Sequence, residues 1–249
     1  MRLTDKKIIV TGGGSGFGAA MCRRFAAEGA KVLVADLNGG AAETVAAEIG
    51  PAARPFTADI SRREQVEAMV KEAISGLGDL DCIVNNAGYT HSNRPLLEVD
   101  EETFDRVYAV NVKALYFAAF AAVPFFRERG GGVFLNIAST AGIRPRPGLT
   151  WYNGSKAAAI MLTKSLAVEL APDKIRVNAI CPVMGATGML EQFMGMPDTP
   201  ENRAKFVSSI PLGRLAEPDD IANPAVYFVS DEAEFITGVC MPVDGGRTI

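Results

Sequence analysis

Short β-branched runs alternate with amphipathic segments along the whole 249-residue chain, and this alternation limits the available folds more than any other feature. Lys6 to Val10 reads as a strand, Gly16 to Glu28 as a helix, Lys31 to Ala35 as a strand, Ala41 to Ile49 as a helix, and Ala53 to Ala58 as a third strand. Arg62 to Ser75 reads as a helix because Val66, Met69, Val70 and Ala73 recur at helical spacing on one face. Asp81 to Asn85 is the next strand. A helical stretch from about 101 to 127 leads to the strand Gly132 to Ala138, and a second, from about 150 to 170, leads to the strand Arg176 to Ile180. Pro218 to Ser230 resumes as helix and Val239 to Val243 closes as a strand. Parallel neighbours require a crossover, and helices between successive strands supply it. The predicted fold class is α/β, a doubly wound parallel sheet with helices on both faces.

No linker or shift in composition divides the chain, so residues 1–249 are expected to form one domain. Val183 to about Ile210 breaks the pattern with Met184, Met189, Met194 and Met196, and an interruption of that length reads as a lid or a disordered loop. With 25 basic against 29 acidic side chains and a net charge of −4, the chain lacks the basic footprint of a dedicated nucleic-acid binder. Four charges in Met1 to Lys7 precede any apolar run, and the apolar run Ala114 to Phe126 is shorter than the roughly 18 residues of a bilayer span. A buried helix, no membrane partner and a cytoplasmic location are the expectations. Cys22, Cys82, Cys181 and Cys240 are widely spaced and form no CxxC pair, which suits reduced thiols in that compartment. The sole histidine, His91, leaves nothing from which to build a multi-histidine zinc site, and no metal is expected.

The first strand runs into Gly12-Gly13-Gly14-Ser15-Gly16-Phe17-Gly18 ahead of a helix. Glycines there let the backbone approach a pyrophosphate, and the helix N-terminus presents free N–H donors and a favourable dipole. A tight turn would explain the glycines alone. Asp36, at the end of the second strand, adds a carboxylate where it can bind the hydroxyls of an adenosine ribose. The same carboxylate repels a 2′-phosphate, and neither Ser15 nor Leu37 and Asn38 supply a cation, so NAD is favoured over NADP.

Tyr152 and Lys156 stand four residues apart in a helical segment, on one face. A phenol of reference pKa about 10 serves as a base near neutrality only beside a positive charge, which Lys156 can provide. An exposed helix pair would carry the same spacing. Ser139, after the strand ending at Ala138, and Asn85-Asn86-Ala87-Gly88, after the preceding strand, lie at the edge where open α/β sheets bind ligands. Asn111, among Val110, Val112 and Ala114, needs a hydrogen-bond partner if buried.

Taken together, Thr11-Gly12-x-x-x-Gly16-x-Gly18, Asn85-Asn86-Ala87-Gly88, Asn111, Ser139, Tyr152-Asn153-Gly154-Ser155-Lys156 and Asp244-Gly245-Gly246 resemble the short-chain dehydrogenase/reductase family, in the family's order and over the whole chain. The resemblance implies a single-domain Rossmann-like sheet of about seven strands and NAD(H)-dependent hydride transfer between a nicotinamide and a secondary alcohol or ketone. It implies Tyr152 as general acid/base, Lys156 as the group that lowers the phenol pKa and holds the nicotinamide ribose, Ser139 as donor to the substrate oxygen, and Asn111 as holder of a water linking Lys156 to solvent. Cofactor contacts are implied for Gly12, Ser15, Gly16, Phe17, Gly18, Asp36, Leu37, Asp59, Ile60, Asn86, Ala87, Gly88, Tyr152, Lys156, Pro182, Val183 and Thr187. The family often has glycine after Pro182, and valine does not readily take a left-handed conformation there.

The substrate is a small alcohol or carbonyl compound, and sugar, hydroxy-acid, cyclic-alcohol and steroid-like molecules all fit. Met184, Met189, Leu190, Phe193, Met194 and Met196 suit an apolar lid or ordinary packing. Arg144, Arg146, Arg94 and His91, which the resemblance places near the pocket mouth, suit either an anionic substrate or plain surface charge. Alternatives are a 3-oxoacyl-[acyl-carrier-protein] reductase-like enzyme, from which Ser15 and Asp36 point away, and a non-catalytic dinucleotide-binding regulator, against which the retained Ser139, Tyr152 and Lys156 argue. The apolar stretch Ala114 to Phe126 and the resemblance together imply a homotetramer.

Overall fold

In the computed structural model, which describes residues 1–185, 188 and 190–249, seven parallel strands form one sheet. They are β1 (Lys7–Thr11), β2 (Lys31–Asp36), β3 (Ala53–Thr57), β4 (Cys82–Asn85), β5 (Gly132–Ile137), β6 (Ile175–Pro182) and β7 (Cys240–Val243), in the order β3-β2-β1-β4-β5-β6-β7. Alternation along each strand divides the core. Ile8 and Val10, aligned with Val32 and Val34, face α1 (Gly16–Ala27), α2 (Gly39–Ile49) and α9 (Pro218–Val229). Ile9, Leu33 and Ile83 face α3 (Arg63–Leu77), the α4 (Glu101–Tyr108) to α5 (Ala114–Arg129) rod, and α6 (Thr150–Leu170). Each central strand is therefore apolar on both faces, which is why these segments read as β-branched runs rather than as alternating patterns.

The chain leaves β1 outward to β2 and β3, then crosses back to β4 on the other side of β1. Crossovers diverge at that point, and the carboxyl ends of β1 and β4 border an open crevice. α4 and α5 are joined by a π turn, Ala109–Lys113, into one helix of 29 residues from Glu101 to Arg129. That helix passes the length and composition test for crossing a bilayer, which the shorter apolar run read from the sequence does not, while its Phe117, Ala118, Ala122 and Phe126 are buried against the sheet.

Between β6 and α9 lie two short helices, α7 (Leu190–Met194) and α8 (Pro200–Val207), the latter capped by the Thr199 hydroxyl accepting from the Asn202 N–H. Met184, Leu190, Met194, Ile210 and Leu215 form their own apolar cluster, and Met196 packs at its margin. Val183 keeps a negative φ, since Asp5 and Lys174 alone among the described non-glycine residues have a positive one, and its N–H donates to Val243. The turn after Pro182 thus does not require the family's glycine for its backbone angle. All four cysteines are free thiols.

Candidate active site

The turn after β1 is shaped by what a side chain would hit. Gly12 has φ +64°, and a Cβ there would lie 2.9 Å from Ala87 Cα. A Cβ on Gly18 would lie 2.0 Å from the Gly12 carbonyl oxygen, so α1 starts directly against the turn. Ser15 precedes α1 without a side-chain cap, and Gly16 and Phe17, whose first-turn N–H groups have no helical partner, line a cavity. The Asp36 carboxylate accepts from the Gly14 N–H at 2.9 Å and the Asn38 N–H at 2.9 Å, and lines the same cavity. Asn86 closes the far side: its amide donates to the Thr11 and Gly12 carbonyls at 2.8 and 3.1 Å. An anion-binding helix end, an open cradle and a ribose-reading carboxylate therefore sit in one place, and they fit a dinucleotide without a 2′-phosphate.

At the other end of the cavity, α6 carries Tyr152 and Lys156 under the carboxyl edge of β5, both buried. Lys156 Nζ donates to the Ile137 carbonyl at 2.9 Å and lies 5.8 Å from the centre of the Tyr152 ring. Burial pushes the Tyr152 phenol up to about 12, against which the Ser139 hydroxyl and the Arg146 charge pull it down. This direction is opposite to the one read from the sequence: without a cofactor, the cost of burying a phenolate exceeds the neighbouring charges. Burial likewise lowers Lys156 to about 8, opposed by Cys181. Ser139 Oγ accepts from the Ala141 N–H at 3.1 Å, which holds its hydroxyl at the start of the turn after β5.

Asn111 sits in the π turn and is buried. Its amide oxygen accepts from the Tyr89 N–H at 2.9 Å, and its amide nitrogen donates to the Tyr89 carbonyl at 2.8 Å and to Ser155 Oγ at 3.0 Å. It does not line the main cavity but shares with Lys156 a small void of about 10 Å³. A polar chain runs behind it from Asn85 to Asn136 at 2.9 Å and on to Thr163 at 2.9 Å.

The main cavity measures about 580 Å³ and is lined by Gly12, Ser15, Gly16, Phe17, Asp36, Leu37, Asp59, Ile60, Asn86, Ala87, Gly88, Ser139, Tyr152, Lys156, Pro182 and Val183. Of the residues expected from the sequence, Gly18 lies behind the turn rather than on the wall, and Thr187 is outside the described residues. Phe193 meets the Tyr152 ring edge-on at 5.2 Å, and a Cβ on Gly185 would lie 2.3 Å from the Phe17 ring, so Phe193 and Gly185 pack at the two ends. Met184 and Phe193 line the cavity, as do Arg144 and Arg146. Arg94 and His91 do not: His91 is buried, with Nδ1 2.9 Å from the Ser92 carbonyl and Nε2 unpartnered. Arg247, Thr248, Arg106 and Phe206 also line the cavity without having been singled out in the sequence, although Asp244-Gly245-Gly246 was the available signal for the first two. Asp244 accepts from the Gly246 and Thr248 N–H groups, both at 2.9 Å, and so folds the C-terminal turn into the site.

A family model described as Enoyl-(Acyl carrier protein) reductase matches residues 12–248. The chain is 53% identical over the full length of both proteins to the 4-formylbenzenesulfonate dehydrogenase of Comamonas testosteroni. It is 37% identical to 2-(S)-hydroxypropyl-CoM dehydrogenase 3 of Xanthobacter autotrophicus, across 99% of this chain and 98% of that one. Among solved structures, the 3-ketoacyl-(acyl-carrier-protein) reductase from Brucella melitensis complexed with NADH superposes with a TM-score of 0.94 at 47% identity, covering 99% of this chain and 100% of that one. A short-chain type dehydrogenase/reductase from Mycobacterium marinum superposes with a TM-score of 0.91 at 33% identity, covering 99% and 96%.

Proposed function

The chain belongs to the short-chain dehydrogenase/reductase family and is an NAD(H)-dependent oxidoreductase, and from that premise we propose how its own residues interconvert a small alcohol and its carbonyl compound. The observation that carries the reading is one cavity holding the Gly12–Phe17 cradle and Asp36 at one end and Ser139, Tyr152 and Lys156 at the other. Bound nicotinamide supplies the hydride acceptor in oxidation and the donor in reduction. Tyr152 Oη moves the proton: it donates to the carbonyl oxygen in reduction and takes the hydroxyl proton in oxidation. Ser139 Oγ orients the same oxygen. Lys156 holds a positive charge beside the phenol and toward the ribose, and the void it shares with Asn111 has room for about one water that would connect it to solvent. Segment 183–210 acts as the lid, with Phe193 and Met184 on its inner side.

Two apolar patches support a homotetramer. One set lies on α5 and α6, where Tyr116, Phe120, Met161 and Val168 are exposed; the other flanks β7 in sequence, where Phe235, Val239 and Ile249 are exposed. The four widely spaced free thiols favour a cytoplasmic location. A second reading, reduction of a 3-oxoacyl thioester, draws on the likeness to the Brucella reductase. The test is to follow NADH absorbance across a panel of alcohols, aldehydes and ketones that includes an acetoacetyl thioester. Turnover of small alcohols or carbonyls is expected; turnover of the thioester alone would favour the second reading, and none with any member would overturn both.

A further inference from the structure

The cavity is electrically polarised. Its two aspartates, Asp36 at the end of β2 and Asp59 after β3, lie at the cradle end. At the Tyr152 end it is lined by Arg144, Arg146 and Arg247, and none of these three guanidinium groups forms an ion pair among the described residues. Elsewhere the structure readily pairs its arginines, as with Arg129 and Asp79 at 3.0 Å or Arg63 and Glu67 at 2.7 Å. The acid whose charge acts on Arg247 is Asp244, but its oxygens are occupied by Gly246 and Thr248.

These arginines are also held in place. The Arg146 carbonyl accepts from Asn153 Nδ2 at 2.9 Å, and its guanidinium lies over the Phe206 ring of α8 at 4.7 Å. Arg144 Nη1 donates to the Arg247 carbonyl at 2.8 Å, and the Arg247 N–H donates to the Asp244 carbonyl at 3.2 Å. Burial and the nearby Arg247 charge hold Arg146 below the usual arginine value, and Arg247 is lowered by burial and by Arg144. Mutual repulsion in a partly desolvated pocket is a cost that an arriving anion removes. Leu149, Met184 and Phe193 add apolar lining to the same cavity, with Phe193 edge-on to the Tyr152 ring.

We propose that Arg146 and Arg247, with Arg144 at the rim, form an oxyanion-binding subsite for the substrate, and that the substrate is an alcohol or carbonyl on an apolar, ring-sized body ending in a carboxylate or sulfonate. This rests on the alcohol–carbonyl reading above and assigns its substrate class. Arg146 and Arg247 fix the far end of the substrate, so that its reactive carbon–oxygen group meets Tyr152 and Ser139.

The test compares 4-formylbenzenesulfonate and 4-formylbenzoate with uncharged benzaldehyde, each reduced with NADH by the full-length protein. The anionic aldehydes are expected to have the higher kcat/KM, through KM. The anionic-to-neutral ratio is expected to fall about 10- to 100-fold in Arg146→Met and in Arg247→Met, the scale of one charge-assisted hydrogen-bonded contact. Arg146→Lys should recover part of it. Preference between the two anions identifies the oxyanion. Equal kcat/KM for charged and neutral aldehydes in wild type, or a ratio unaltered by both substitutions, would overturn the subsite while leaving the oxidoreductase reading intact. If no aldehyde is turned over, calorimetric titration of benzenesulfonate, benzoate and benzamide still decides: anion binding that Arg146→Met abolishes supports the subsite, and no anion binding overturns it.

Discussion

Tyr152 is the single side chain on which the chemistry turns. Tyr152→Phe keeps the ring and its edge-on contact with Phe193 but removes the group placed to move the substrate proton. Turnover is expected to fall by about 10²- to 10⁴-fold, with NADH affinity measured by fluorescence titration little changed; near-normal turnover in a folded variant would refute the assignment. The pH profile separates the two buried groups. The phenol, pushed up to about 12, stays protonated through neutrality and suits donation to a carbonyl. Lys156, lowered to about 8, loses its charge as pH rises through that value. Carbonyl reduction is therefore expected to decline above about pH 8, while oxidation, which needs the phenolate, rises with pH. Initial rates in both directions, with Lys156→Met removing the limb near 8, check this. The residues of this site were legible because their types are chemically specific. The direction of the Tyr152 shift was not, because spacing shows that Lys156 is near but not how much water the fold removes.

Elements show the same division. Strands buried on both faces are continuous β-branched runs, so β1, β2, β4 and β5 are placed within a residue or two by sequence alone. The π turn at Ala109–Lys113 is invisible in the pattern, since it adds one residue to a helix without changing its composition. The lid helices α7 and α8 escaped because short helices have too few turns to establish a period, and Arg247 because the pattern marked only the turn before it. Gly18 illustrates the reverse: its conformation matters less than its lack of a Cβ, since that atom would lie 2.0 Å from the Gly12 carbonyl. Gly18→Ala is expected to lift α1 from the turn, costing about 1–3 kcal/mol of stability and a melting temperature lower by several degrees. Calorimetry and NADH titration should show both the lower Tm and an affinity weakened by more than about tenfold. An unchanged affinity would mean that the α1 N-terminus does not hold the cofactor.

At the scale of the whole molecule, several large apolar side chains stay exposed once the core is complete. α5 buries Phe117, Ala118, Ala122 and Phe126 on the sheet, yet Phe120 is 53% exposed on its other side; Val168 of α6 is 80% exposed, with Met161 two turns before it on the same face. Around the edge strand β7, Phe235 and Ile249 are fully exposed. An isolated monomer would present both patches to water, whereas a self-complementary contact through each generates two distinct twofold interfaces, and two such interfaces close into a tetramer. Light scattering at micromolar protein is expected to report four chains. Val168→Asp with Phe120→Asp, which place carboxylates in the first patch only, should give dimers that still bind NADH through the untouched cradle. A monomeric mass for the wild-type chain, or four chains retained in the double variant, would refute this assembly.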